Sequence, residues 1–282
     1  MLKKLKNYFR AASSAEAVCI LKQYEGTAKI LAGGTTVGIM KSDSVETLVD
    51  IKYSGLNYIE ENETDILIGA ATSINDILQS MAVKKYCGGI IHQAAYSIAS
   101  TPLRNMITAG GNITQVYHWS DLPVVFLCAG AKIKIEGPEN KVRIASAADF
   151  FRAHPLTFLG KTELVTQIIL PKTNSSRGIF TKFAKTAFDY TLLNVAAIYD
   201  RDAQENKRIK ICVSGAGSLP QELKKTSEKI SQNINNSGAI SNDILELAVQ
   251  ETSFITEMRV TTDYKKSILP ALIKRTTEQA LG

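Results

Sequence analysis

The sequence predicts an α+β chain, with an α/β N-terminal region followed by a C-terminal domain of antiparallel sheet and helices. Three observations predict it. A short strand, Ala28–Leu31, runs straight into the glycine pair Gly33-Gly34, and a strand feeding a glycine turn is where open α/β folds place ligands. Helical and extended segments then alternate as far as Pro171. Beyond it, extended segments at 178–184, 192–200 and 208–214 follow one another without an intervening helix, the order of an antiparallel meander rather than of crossover units.

Each element has a local cause. Ser13-Ser14-Ala15-Glu16 has the form of a capping box opening a helix that stops near Gly26. After strand Ala28–Leu31 come a second short strand at 48–51 and a hairpin, 56–59 with 66–68, about the polar Glu61-Asn62-Glu63-Thr64 turn. Ser73 caps a helix expected to reach Val83. Ile90, Ile91, Ala94, Ala95, Ile98 and Ala99 have helical spacing, which predicts a helix over 88–100 that Pro102 ends. The chain then runs extended through Arg104-Asn105-Met106-Ile107, and a helix over 120–129 carries Asp121 in its first turn. Two strands joined at Gly137-Pro138-Glu139-Asn140 and a strand at 164–170 close the region. The polar stretch 172–178 is the expected linker, giving domains 1–171 (subdomains of about 1–55 and 56–171) and 178–282. Helices at 222–233, 243–250 and 264–281 would pack on the C-terminal strands.

Composition narrows the function classes. Of 282 residues, 45% are hydrophobic and 21% charged, the balance of a globular protein. The net charge of +6 is scattered rather than striped, which argues against a nucleic-acid partner. The four cysteines (Cys19, Cys87, Cys128, Cys212) and three histidines have no metal-ligand spacing; the cysteines read as core thiols of a reducing compartment. The basic start has no apolar segment behind it and no stretch is long enough to span a bilayer, so a cytoplasmic location is the default expectation. No catalytic residue and no metal ligand is predicted.

The motif content lies in two glycine pairs, Leu31-Ala32-Gly33-Gly34-Thr35-Thr36 and Thr108-Ala109-Gly110-Gly111-Asn112. Glycines let backbone amides approach an anion and reach positive φ at little cost. Two such segments, each with a hydroxyl or amide beside it, suggest two walls of a diphosphate cradle. Neither matches G-x-G-x-x-G or the P-loop. Judged alone, Gly33-Gly34 is also compatible with a plain tight turn, and Asp121 with a favourable charge at a helix start.

Taken with Ile68-Gly69-Ala70, Arg104-Asn105, Ser120-Asp121-Leu122-Pro123, Asp149-Phe150-Phe151, Glu163-Leu164, Ile169-Leu170-Pro171, Lys182 and Tyr264-Lys265-Lys266, the order resembles the FAD-binding (medium) subunit of the molybdenum hydroxylases, such as xanthine, carbon monoxide and nicotinate dehydrogenases. The resemblance runs nearly the whole chain. It implies a vanillyl-alcohol-oxidase-like (PCMH-type) FAD fold of two α/β subdomains holding an extended FAD, plus a C-terminal domain. It implies that Lys29, Ile30, Leu31, Ala32, Gly33, Gly34, Thr35, Thr36 and Val37 wrap the diphosphate and ribityl side. Ile107, Thr108, Gly110, Gly111 and Asn112 would form the second wall. Asp121 would accept from ribose or adenine-side groups, Leu159 would pack on the adenine, and Lys182 would sit near the isoalloxazine carbonyls, with Ile98 where relatives place a ring-packing aromatic. The function implied is electron transfer from a [2Fe–2S] subunit, beside a molybdopterin-containing large subunit, through FAD to NAD⁺ or another acceptor.

The departures are Thr-Ala before Gly110, Thr36 in place of a more polar or acidic side chain, and Thr186 where an arginine is frequent; Asp189 gives thin support for a nicotinamide contact. The absence of clustered cysteines argues against the benzoyl-CoA-reductase branch. Two rival readings are a free-standing flavin oxidoreductase of the same fold and a non-enzymatic protein binding anions or nucleic acid.

Overall fold

A computed structural model describes residues 2–173, 176–201, 207–236 and 240–282. The chain forms two compact units that interleave in sequence. The first takes residues up to Ser80, then Ser100–Val116 and Ala131–Pro171; the second takes Met81–Ala99, Tyr117–Gly130 and Lys172–Gly282.

The first unit holds two sheets. β1 (Asn7–Arg10), β2 (Ala28–Leu31) and β3 (Thr47–Asp50) are parallel in the order β1-β3-β2. Helix Ser14–Gln23 covers them, packing Ala17, Val18, Ile20 and Leu21 with Val49, Ile51, Leu56 and Leu164. Its Ser13 cap accepts from the amide of Glu16, but the Glu16 carboxylate accepts from the Ala12 amide rather than from that of Ser13, so the expected capping box is displaced by one residue. The second sheet contains β4 (Ile59–Glu61), β5 (Asp65–Gly69), β6 (Lys132–Gly137), β7 (Lys141–Ser146) and β8 (Leu164–Pro171), antiparallel in the order β4-β5-β8-β6-β7. Glu139 and Asn140 turn β6 into β7 at positive φ. Strand β1 is absent from the sequence reading: its side chains alternate only between half-buried and exposed, a weak signal.

The second unit is built on β9 (Arg177–Phe183), β10 (Leu193–Arg201), β11 (Lys207–Ser214) and β12 (Gln221–Glu222), antiparallel neighbours in the order β12-β11-β10-β9. One face, carrying Leu193, Val195, Ala197, Ile209, Ile211 and Val213, packs with helices Lys224–Asn236, Asn242–Glu251 and Thr262–Leu281. The other face is covered by helices Ile90–Tyr96 and Leu122–Cys128. Gln93 accepts from the Phe180 amide, and a Cβ on Gly178 would lie 2.9 Å from that of Ile90. A strand pair buried on both faces needs both layers, which is why 81–99 and 117–130 join the C-terminal strands. Lys265, with no exposed side-chain surface, donates to the Gly215 carbonyl at 2.6 Å and pairs with Glu257 at 2.6 Å. Burial pushes the Glu257 carboxyl up, but hydrogen bonds from Lys265, Arg259 and His118 outweigh it and hold it below the usual range.

Several local expectations are corrected. The 88–100 helix covers only Ile90–Tyr96: Cys87, Gly88 and Gly89 precede it at positive φ, and Ala99 (φ 41°) breaks the chain after it. Pro102 opens rather than ends a helix, standing in the first turn of Thr101–Arg104, so Arg104 is helical and not extended. The helix after Ser73 stops at Gln79, where Ser80 turns extended before Met81–Lys85. Cys19 is exposed, not a core thiol. The 172–178 linker includes Asn174 and Ser175, which lie outside the described residues, and ends inside β9. Among the described residues no helix is long and apolar enough to cross a membrane.

Arg143 on β7 grips Glu163 through two hydrogen bonds, 2.8 and 2.7 Å, and also donates to the Phe158 carbonyl. That contact with Arg143 holds the Glu163 carboxyl below its ordinary range. A depressed carboxyl stabilises the fold above the usual glutamate value and loses that contribution as pH falls through its folded value. Replacing Arg143 by Met is therefore expected to cost about 1 kcal/mol at neutral pH after discounting for solvent screening. In urea titrations the difference from wild type should shrink as pH falls from the ordinary glutamate range of about pH 4 through the depressed folded value of Glu163, leaving the part owed to the Phe158 carbonyl.

Candidate functional site

In the first unit, β2 delivers Lys29, Ile30 and Leu31 to the turn Ala32-Gly33-Gly34-Thr35-Thr36-Val37. Gly34 sits at φ +76°, the left-handed conformation that glycine adopts freely. Gly33 is needed for a different reason: a Cβ there would lie 1.5 Å from the Met106 carbonyl oxygen. The turn is thus pressed onto the segment that leads into the second glycine pair. That segment is tied down in turn, since Ile74 donates to Ile107, Ala109 to Thr72 and Gly110 to Ala70, at 2.8 to 2.9 Å. A Cβ on Gly110 would meet the Cβ of Ala70 at 2.7 Å. The glycines therefore bring backbone against backbone, and the Gly69-Ala70 step is what Gly110 packs on.

The two pairs differ in what they offer a ligand. The second is not a turn but the start of helix Ala109–Thr114, capped by Thr108, whose hydroxyl accepts from the Gly111 amide at 3.2 Å. The amides of Ala109, Gly110, Gly111 and Asn112 are all engaged within the chain. What remains there for an anion is side-chain donors, the Thr108 hydroxyl and the Asn112 amide nitrogen; the buried Asn112 Oδ1, an acceptor, has no partner. Around the first pair the reverse holds. Among the described residues, none of the amides of residues 32–37 donates to another protein group. Gly38 closes a helical turn onto Gly34 at 2.8 Å, so the amides of Thr35, Thr36 and Val37 open that turn and point out of it.

Lys29 adds charge. It is half-buried on β2, and burial alone pushes its ammonium below the ordinary lysine value, with no anion among the described residues opposing the shift. A half-buried cation with no counter-ion among the described residues, on the strand that feeds a run of uncommitted amides, suits an anion with several acceptor oxygens. The residues present fit a diphosphate. Leu159, half-buried, follows helix Pro155–Phe158, on the stretch clamped by Arg143 and Glu163.

Ile98, Asp121 and Lys182 belong to the second unit. Ile98 is buried in its core. Asp121 is 4% exposed and makes no cap bond to helix Leu122–Cys128. Its Oδ1 accepts from Thr191 Oγ1 at 2.6 Å and Asn194 Nδ2 at 2.8 Å; its Oδ2 accepts from Lys182 Nζ at 3.1 Å. Ser97 Oγ stands 3.1 Å from Oδ2 and 2.7 Å from the Ala94 carbonyl, sharing one proton. Lys182, Asn194 and Ser214 form one row across β9, β10 and β11, in register. Sequence reading missed Thr191, Asn194 and Ser97; the available signal was an asparagine inside the apolar run 192–197.

Comparison with known proteins accords with this geometry. Residues 3–173 match the family described as the FAD-binding domain in molybdopterin dehydrogenase, and residues 179–280 the CO dehydrogenase flavoprotein C-terminal domain. The fold is thus that of a two-domain FAD-binding oxidoreductase subunit. The glyceraldehyde dehydrogenase medium chain of Sulfolobus acidocaldarius is 31% identical over 76% of each chain. The carbon monoxide dehydrogenase medium chain of Afipia carboxidovorans is 27% identical over 97% of this chain and 96% of its own. A solved structure of reconstituted CO dehydrogenase from Oligotropha carboxidovorans superposes with a TM-score of 0.87 at 26% identity, covering 99% of this chain and 98% of that one. The chain belongs to the FAD-binding medium-subunit family of the molybdenum hydroxylases, and its cofactor is FAD.

The Gly33 contact gives a direct test. Gly33→Ala forces a carbon into the Met106 carbonyl and should cost at least about 3 kcal/mol in urea unfolding, the upper end of overpacking. Gly34→Ala, which meets only conformational strain, should cost about 1–2 kcal/mol.

Proposed function

We propose that this chain is the electron-transfer subunit of a molybdenum hydroxylase complex. It takes electrons from a [2Fe–2S] subunit, beside a molybdopterin-containing large subunit, and passes them through FAD to NAD⁺ or another acceptor. Relatives named as medium chains of carbon monoxide dehydrogenase and as a subunit of the 6-hydroxypseudooxynicotine dehydrogenase complex support the multi-subunit setting. When bound, FAD supplies the exchange of electrons, and the chain's work is to hold it and set its potential.

The observation that carries the reading is the run of uncommitted amides at 32–37, with Lys29 lacking a counter-ion among the described residues. In this assignment those amides and the Thr35 and Thr36 hydroxyls hydrogen-bond the diphosphate oxygens, and the Lys29 ammonium offsets their charge. Thr108 and Asn112 supply the second wall through side chains, with Ile107, Gly110 and Gly111 shaping it. Leu159 packs on the adenine, and Ile98 and Lys182 serve the isoalloxazine ring, Lys182 toward its carbonyls. Arg104-Asn105 leads into the second glycine pair and is the candidate partner-facing segment.

The test is FAD titration of the purified chain, followed by its visible spectrum. Wild type should take up FAD and keep a flavin spectrum through desalting. Lys29→Met should bind at least tenfold more weakly, for loss of a charge-assisted hydrogen bond of about 1.5–3 kcal/mol. Because the ammonium is half-buried and has no counter-ion among the described residues, the FAD-free variant should melt no lower than wild type. A folded wild-type chain that stays colourless with FAD would overturn the assignment.

A further inference from the structure

We propose that Asp121 is not a ligand of the cofactor but the counter-ion that positions Lys182, so that the flavin meets a compensated cation rather than a free one. The proposal rests on the reading above that Lys182 faces the isoalloxazine ring. Its geometry stands on the second unit alone.

The carboxylate has little left to give a ribose hydroxyl. Thr191 and Asn194 donate to Oδ1, Lys182 donates to Oδ2, and the shared Ser97 proton lies against the same oxygen. A carboxylate offers about four lone-pair sites, and this one is 4% exposed. A ligand hydroxyl would have to displace a donor of the chain.

Lys182 is in the opposite position. An ammonium carries three protons. One goes to the Ser97 carbonyl at 2.9 Å and one to Asp121 at 3.1 Å, and these are its only acceptors among the described residues. The third is uncommitted, on a side chain 11% exposed. Two fixed acceptors set the direction of that third N–H, which can then donate to a carbonyl oxygen of a ligand.

The second consequence is electrostatic. Lys182 alone would place a full positive charge where negative charge collects on the reduced ring and would favour reduction. Asp121, 3.1 Å from the ammonium, cancels much of that field. The row Lys182–Asn194–Ser214 across three strands fixes the pair: Asn194 donates both to Asp121 and, at 3.2 Å, to Ser214 Oγ. The potential would then be tuned by the difference between two nearby charges, and the sheet register would set the distance between them.

The experiment measures the midpoint potential of bound FAD, its dissociation constant and the melting temperature of the FAD-free chain, in wild type and three variants. Asp121→Asn should raise the reduced-to-oxidised ratio at fixed potential about tenfold, roughly +30 mV for a two-electron couple. Lys182→Met should lower it by a similar factor. The double variant removes both charges and leaves no buried ion unpaired, so it folds even where a single variant does not. It should restore the ratio most of the way from the Lys182→Met value toward wild type.

Three outcomes overturn the proposal, and they are distinguishable. If Lys182→Met shifts the potential but Asp121→Asn does not, and the double variant matches Lys182→Met, Asp121 only braces the fold. If Asp121→Asn weakens FAD binding more than tenfold with melting and potential unchanged, Asp121 is a cofactor ligand after all. If FAD binds every variant with an unchanged potential, Lys182 does not face the ring, and that part of the functional reading fails with it.

Discussion

Gly33 lies against the carbonyl of Met106 so closely that no other residue fits, and the rest of the cradle follows from that approach. It fixes the turn after β2 to the segment before Thr108, and Gly110 fixes that segment to Ala70. With its own backbone held this way, the first turn keeps the amides of residues 32–37 uncommitted, while those of residues 109–112 are engaged. Two glycine pairs that look equivalent as letters thus divide the work. One leaves its backbone donors uncommitted, and the other commits its own within the chain, with the Thr108 hydroxyl and the Asn112 side chain beside them.

Two lysines show how one residue type serves two electrostatic ends. Lys29 is desolvated and unopposed, an arrangement that a bound anion relieves. Lys182 is nearly as enclosed as a core residue but has Asp121 beside it, so its charge is already balanced before any ligand arrives. The first arrangement favours affinity for an anion. The second limits charge while keeping one proton available and directed, which suits control of a ring's electronics more than grip.

Much of this was legible in the sequence because the signals are local. Ser13 and Ser73 do cap helices, the strand Ala28–Leu31 lies where its residues put it, a hairpin does form about the polar 61–64 stretch, though its first strand is Ile59–Glu61 rather than 56–59, and the meander of β9, β10 and β11 follows from apolar runs broken by polar turns. What escaped is tertiary. Pro102 is compatible with both ending and opening a helix, and Ala99 at positive φ, which decides between them, has no sequence mark. The close approach of Gly33 joins residues more than seventy positions apart. The donors to Asp121 escaped too, because nothing in its neighbourhood along the chain announces Thr191 or Asn194. Nor does the alternation in β10 and β11 reveal which helices cover the second face of their sheet.

On this geometry the backbone of residues 32–37, and not that of residues 109–112, should carry the hydrogen bonds to the cofactor's diphosphate. Amide hydrogen exchange of the purified chain, with and without saturating FAD, tests it most directly. Residues 32–37 should exchange fast without FAD and gain at least about tenfold protection with it, while 109–112 should be protected already and change little. Exchange at 32–37 that FAD leaves unchanged, under conditions where the spectrum shows the flavin bound, would contradict it.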